Sequence, residues 1–154
     1  MPNWSEGILK VRGNYENVVK FFKENLQIVD LFGTNVESAL IIDDYDDHVE
    51  ISLKTTAYIK GTHRNFTESD YIYIYRRKDN TACVPIHIKG AWCIKSNPYT
   101  KMSKDYDVDI KIESFERGME FSQYILIEKG QLIENKEIRY DDYEWECPNP
   151  LIGG

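Results

Sequence analysis

Aliphatic and polar side chains alternate in single steps over much of this chain. Val108, Ile110 and Ile112 alternate with Asp107, Asp109, Lys111 and Glu113. A period of two sends successive side chains to opposite faces, so this segment is written as a strand with one dry and one wet side. Ile72 and Ile74 alternate with Tyr71, Tyr73 and Tyr75, which predicts a strand with one aliphatic and one aromatic face. The pattern also predicts strands over Gly7–Gly13, Val49–Ile59, Cys83–Trp92, Met119–Glu128 and Gln131–Tyr140. Pro85 has no N–H for a ladder, so it belongs at an edge or a bulge. Lys129-Gly130 joins the last two strands as a hairpin turn.

Two stretches break this period. Tyr15, Val18, Val19, Phe22 and Leu26 recur at helical spacing behind Asn14, a good helix cap, with Glu16, Lys20, Lys23 and Glu24 on the other side. Asn97-Pro98 opens a second, shorter helix that ends near Tyr106. Between the helices, Gly33-Thr34-Asn35 and Lys78-Asp79-Asn80 read as turns. Ala39–Ile42 reads as a brief strand or helix end, and Asp43–Asp47 and Gly61–Ser69 as loops. The order contains β-α-β-β-α-β, the ferredoxin-like pattern. The expected fold is α+β: a ferredoxin-like two-layer sandwich, its antiparallel sheet covered by two helices and extended by a C-terminal β-hairpin. One domain over 1–154 is expected, with an expanded region 28–80 and an acidic arm 141–154 whose Pro148, Pro150 and Gly153-Gly154 fray.

Length supports this: 154 residues bury a core without staples. The longest apolar runs, such as Ile125-Leu126-Ile127, are too short for a membrane span. The opening Met1-Pro2-Asn3-Trp4-Ser5-Glu6 has no basic-apolar leader, which favours the cytoplasm. An odd set of thiols, Cys83, Cys93 and Cys147, argues against a disulfide framework.

The acidic surplus is concentrated. Asp43, Asp44, Asp46, Asp47 and Glu50 form one run, and Asp141, Asp142, Glu144 and Glu146 the other. Without these nine carboxylates, 19 cationic residues face 17 anionic ones, so a near-neutral body carries two anionic patches. Such patches suit a partner protein with a basic surface and oppose general nucleic-acid affinity, which needs clustered cations. They also suit solvated loops or weak cation binding. In an extended arm, Asp142, Glu144 and Glu146 would stand about 6.5 Å apart, near the phosphate repeat of a nucleic-acid strand. Tyr143 and Trp145 between them are candidate interface anchors, or Trp145 folds back into the core. Tyr71, Tyr73 and Tyr75 are expected to pack against a helix or a neighbouring segment; with Arg76 and Arg77 they offer the alternative, an aromatic sheet face that stacks single-stranded bases.

Chemistry is sparse. Cys83, His87 and Cys93 match no zinc spacing. The Asp44–His48 segment lacks the glycine and the closing Glu of a calcium loop, with Val49 and Thr55 at those places. His48, His63 and His87 stand apart from any evident nucleophile, and no glycine-rich phosphate loop is present. The expectation is a protein that is not an enzyme and needs no metal or cofactor.

Pro2-Asn3-Trp4 ahead of a strand and helix is one half of a resemblance. The other is His87-Ile88-Lys89-Gly90-Ala91-Trp92, then Pro98, then Ile110-Lys111-Ile112-Glu113-Ser114-Phe115-Glu116-Arg117-Gly118. Together they resemble the YubB-like, ferredoxin-like proteins of phages and plasmids, over most of residues 1–13 and 84–130. Ser5 stands where that family carries a cysteine. The resemblance implies an accessory protein of a mobile genetic element and brings no catalytic residues. Trp4 and Trp92 are shared positions, expected to pack in the core. In that setting the acidic patches suggest an anti-defence role, such as an anti-CRISPR inhibitor of a nucleic-acid-binding nuclease.

Overall fold

A computed structural model describes residues 1–29 and 40–154. The turn expected at residues 33–35 and the start of the brief element expected at 39–42 lie outside them. The chain's axis is strand β1 (Trp4–Asn14), which pairs antiparallel with both β8 (Thr81–Ala91) and β9 (Val108–Glu116). Its alternation sends Leu9 and Val11 into the core, fully buried, and leaves Ile8, Lys10 and Arg12 outside. Gly7 is required by close approach: a Cβ there would lie 1.9 Å from the Glu113 carbonyl oxygen.

Helix α1 (Tyr15–Asn25) begins where expected, with the Asn14 side chain accepting the Glu16 N–H at 3.1 Å. It buries Tyr15, Val18, Phe21 and Phe22, and Leu26 beyond it opens strand β2 (Leu26–Ile28). Helix α2 (Ser96–Tyr106) starts before Asn97: Lys95 holds the cap position and no side chain caps it. Asp107 ends α2 in the left-handed region, at φ 51°. Tyr99 of α2 is fully buried, and its hydroxyl accepts a hydrogen bond from Asn65 Nδ2 at 2.8 Å. Burial pushes that hydroxyl's pKa far above the usual tyrosine range.

The remaining strands are β3 (Ile41–Asp44), β4 (His48–Ser52), β5 (Ala57–Ile59), β6 (Asn65–Thr67), β7 (Tyr71–Tyr75), β10 (Phe121–Glu128) and β11 (Gln131–Arg139). Eight strands form one antiparallel sheet in the order β11-β10-β9-β1-β8-β6-β5-β2. Strands β3, β4 and β7 form a second sheet in the order β3-β4-β7. Val49, Ile51, Ile72 and Ile74 on the inner face of the small sheet join the same hydrophobic cluster as Leu9, Phe22 and Ile110.

This corrects the expected fold. Among the described residues the molecule is mostly antiparallel sheet with three short helices, not a ferredoxin-like two-layer sandwich. A ferredoxin-like sheet is built on four strands, whereas among the described residues the large sheet has eight and a second sheet of three shares its core. Here β8 enters at the end of β1, where Tyr15 N–H donates to the Asn80 carbonyl, and runs back antiparallel from Asn14↔Thr81 to Trp4↔Ala91. The chain between α1 and β8 is spent on the far edge of the large sheet and on the small sheet instead.

Smaller expectations shift too. The strand expected at Val49–Ile59 is two, β4 and β5, and the loop expected at Gly61–Ser69 contains β6. Pro85 does sit on a bare stretch of β8: it pairs with Lys10 on one side, while β6 reaches β8 only at Lys89 and Gly90. Trp92 is 54% exposed and so leaves the core, and Trp4 is half-buried against Phe66. The tail does not fray: Gly154 N–H donates to the Trp4 carbonyl at 2.8 Å. Among the described residues no helix is long and apolar enough to cross a membrane.

Candidate interaction surface

The small sheet brings together two features that lie far apart in the sequence. In β7 the odd residues Tyr71, Tyr73 and Tyr75 face out and the even residues Ile72 and Ile74 face the core. Cross-strand pairing places His48 beside Tyr75, Glu50 beside Tyr73 and Ser52 beside Tyr71. The same register places Asp43 beside Glu50 and Ile41 beside Ser52. One outward face therefore carries three rows: His48 with Tyr75, Asp43 with Glu50 and Tyr73, Ile41 with Ser52 and Tyr71.

The rings on this face form a run of near-parallel stacks. Tyr71 and Tyr73 lie 6.1 Å apart and Tyr73 and Tyr75 6.2 Å apart, centre to centre. His48 lies 5.0 Å from Tyr75, and Tyr45 closes the run 4.5 Å from His48 at an interplanar angle of 9°. The imidazole is also held at its edges. Nδ1 lies 2.7 Å from Asp47 and Nε2 3.2 Å from Glu50. The hydrogen bond to Asp47, then that to Glu50, outweighs partial desolvation and holds the His48 pKa above the ordinary imidazole value. The same bond holds the Asp47 carboxyl below its ordinary range. The Tyr73 hydroxyl is pushed up by partial desolvation first, then by Glu50 and the two neighbouring tyrosines.

The first acid run thus divides. Asp43 and Glu50 face outward with the tyrosines, Asp46 is exposed in the β3–β4 turn, and Asp47 is taken by His48. Asp44 sits across from Val49 on the opposite face and pairs with Lys23 of α1 at 3.0 Å, tying the small sheet to the helix. The run is not the plain loop expected, since Asp43 and Asp44 end β3 and Glu50 is inside β4.

Arg76 and Arg77 do not flank the ladder as a base-stacking surface would want. The Arg76 guanidinium lies over the Tyr15 ring at 4.4 Å, with Glu16 at 3.8 Å. Arg77 is exposed past the strand end, where its backbone closes the turn onto Thr81 and Asn80.

The second acid run is not an extended arm. Residues Tyr143–Glu146 form a short helix, α3. Asp142 accepts the Trp145 N–H at 3.2 Å, while Glu146 accepts the N–H groups of Asp141 and Asp142 at 3.0 and 3.2 Å. These carboxylates satisfy the helix start rather than standing at phosphate spacing. Tyr143 is buried against Tyr140 at 5.5 Å and is closed to a partner. Trp145 is 86% exposed, so it does not close the core, and Asp141 and Glu144 are exposed beside it.

The segment that carried the family resemblance has a structural account. Glu116 is fully buried and accepts the Gly118 and Met119 N–H groups, each at 2.7 Å, which holds the β9–β10 turn. Ser5 donates to Ser114 at 2.8 Å inside the sheet. Among the described residues no three His, Cys, Asp or Glu side chains gather as a metal-holding group. The contributions of Tyr45 and His48 to the surface went unread in the sequence. Their only signal was an aromatic and an imidazole on either side of Asp46-Asp47.

No family model, curated protein or solved structure matches this chain.

Proposed function

We propose that this protein is a non-enzymatic binding protein that masks the basic surface of a protein partner. In the mobile-element setting suggested by its resemblance, that partner is a host nucleic-acid-binding nuclease and the outcome is inhibition. One observation carries the proposal: exposed tyrosines and the carboxylates of Asp43 and Glu50 share the outer face of β3-β4-β7. Large aromatics supply interface energy, and charges around them set approach and register. A basic nucleic-acid site is complementary to both. The exposed Trp145 with Asp141 and Glu144 offers a second, smaller contact of the same chemistry.

The test is capture of basic nucleic-acid-binding proteins from a bacterial host lysate, comparing the natural chain with a variant carrying Asp43→Asn, Asp46→Asn and Tyr73→Ser. The expected result is retention that falls with salt and is lost in the variant. Retention that ignores these substitutions, or that yields only abundant chaperones at low and moderate salt, would refute the proposal.

The open tyrosine ladder supports a second function, binding of single-stranded nucleic acid. The carboxylates of the middle row and the diversion of Arg76 to Tyr15 weigh against it. Fluorescence anisotropy with mixed oligonucleotides at low salt separates the two, since only the second gives binding.

A further inference from the structure

We infer that the row Asp43–Glu50–Tyr73, together with Tyr71, receives arginine side chains of an extended partner segment. This rests on the binding function proposed above and names the chemistry of the partner.

The chain already fills one position of this face with a flat, basic ring of its own. The His48 imidazole lies between the Tyr45 and Tyr75 rings and is held by Asp47 on one nitrogen and Glu50 on the other. One pleat step along the sheet the same groups recur. The Tyr73 ring stands beside Glu50, and Asp43 stands across from Glu50. Among the described residues no Lys, Arg or His lies within ion-pair distance of Asp43, and Glu50 has only His48. This second position has, among the described residues, a ring and the Asp43 carboxylate without a basic partner, beside a Glu50 that it shares with His48.

Guanidinium suits it better than ammonium. It is planar, so it stacks on a ring while its edge donates to carboxylates in a fork. Ammonium is a compact, strongly hydrated point charge that gains less from a ring face. The repeat of the face matches as well. Tyrosine centres are 6.1 and 6.2 Å apart, while alternate side chains of an extended strand are about 6.6 Å apart. An Arg-X-Arg segment lying along β7 would place its arginines on successive rings, and the acid of the middle row would neutralise them.

The test uses the intact protein and three probes: an Arg-Ser-Arg-Ser-Arg peptide, its lysine counterpart, and a single-stranded oligonucleotide, titrated by calorimetry. The Arg peptide should bind at least about tenfold more tightly than the Lys peptide, the scale of one charge-assisted bidentate contact. Asp43→Asn and Tyr73→Ser should each bring it down to the Lys level while the melting temperature holds. Equal binding of the two peptides would overturn the arginine preference and leave the wider binding function standing. So would no peptide binding by a protein that still retains a basic partner from lysate. Arg binding indifferent to both substitutions, or oligonucleotide binding that depends on Tyr73, would overturn the site itself. Loss of both peptide and lysate binding would end the inference and the proposed function together.

Discussion

Replacing the residues of β7 one at a time by alanine should separate stability from binding with a period of two. Ile72 is 2% exposed and Ile74 fully buried, both within the shared core. Truncating either removes three buried carbons, about 2.4 kcal/mol at roughly 0.8 per methylene. The cavity left behind raises this to about 3–4 kcal/mol. For a chain of this size each kcal/mol lowers the melting temperature by about 2–4 °C, so a fall of roughly 6–16 °C is expected. Tyr71, Tyr73 and Tyr75 lose only stacking along β7 and side-chain contacts across to β4 on a wet face, about 0.2–1 kcal/mol each. Binding should show the opposite order, with Tyr73→Ala costing about 2 kcal/mol or more and the core variants that stay folded costing little. Thermal melts of the five variants, followed by titration of the Arg peptide into the folded ones, give both profiles. If Tyr73→Ala melts as low as Ile74→Ala, the tyrosine face is packed against something and the outward face is misassigned.

Other outcomes follow from single contacts. Trp145→Ala should leave the melting temperature within about 1–2 °C of the parent, since an exposed side chain contributes little to stability; a sharp fall without any partner would place Trp145 in the core after all. Asp44→Asn should cost no more than about 1 kcal/mol, as an exposed pair with Lys23 is weak, and should leave peptide affinity unchanged where Asp43→Asn does not. His48 should titrate above about 6.5, and Asp47→Asn should move it back toward that value, as proton resonance of the imidazole can follow. Because its folded-state pKa is raised, the stability it adds is complete below about pH 6.5 and is lost as pH rises through the folded value. His48→Gln should therefore lower the melting temperature more at pH 5.5 than at pH 8, and an equal effect at both would remove the carboxylate account. Gly7→Ala should destabilise by about 1–3 kcal/mol or more by forcing β1 and β9 apart, visible in urea unfolding; an unchanged midpoint would mean the strands are not in this register.

Local features were legible because their causes are local. Asn14 caps α1 through its own side chain, and the faces of β7 and β9 follow from the alternation of their residues. Lys129 and Gly130 turn the β10–β11 hairpin with φ of 48° and 76°, as a tight turn between twisted strands demands. The exposure of the tyrosine ladder was not legible, because alternation leaves Tyr71, Tyr73 and Tyr75 equally able to pack against a neighbouring segment. The capping of α3 was missed because Asp142 and Glu146 look the same in sequence whether they line an arm or satisfy backbone N–H groups.

By itself the sequence determined strands such as β1, β7 and β9, where α1 starts, and that nine carboxylates crowd into two places. Only the tertiary structure decided that, among the described residues, the large sheet grows to eight strands and a second sheet of three forms beside it, which replaces the expected ferredoxin-like sandwich. It also decided that Asp43 and Glu50 stand in one row with Tyr73, that Asp44 turns away to Lys23, and that His48 is caught between Tyr45 and Tyr75. The reason is that a strand's alternation is the same whichever strand lies beside it and whichever way that strand runs. Neighbour, direction and register are set by the burial of distant segments against one core, and these bring an acid of one strand beside a ring of another.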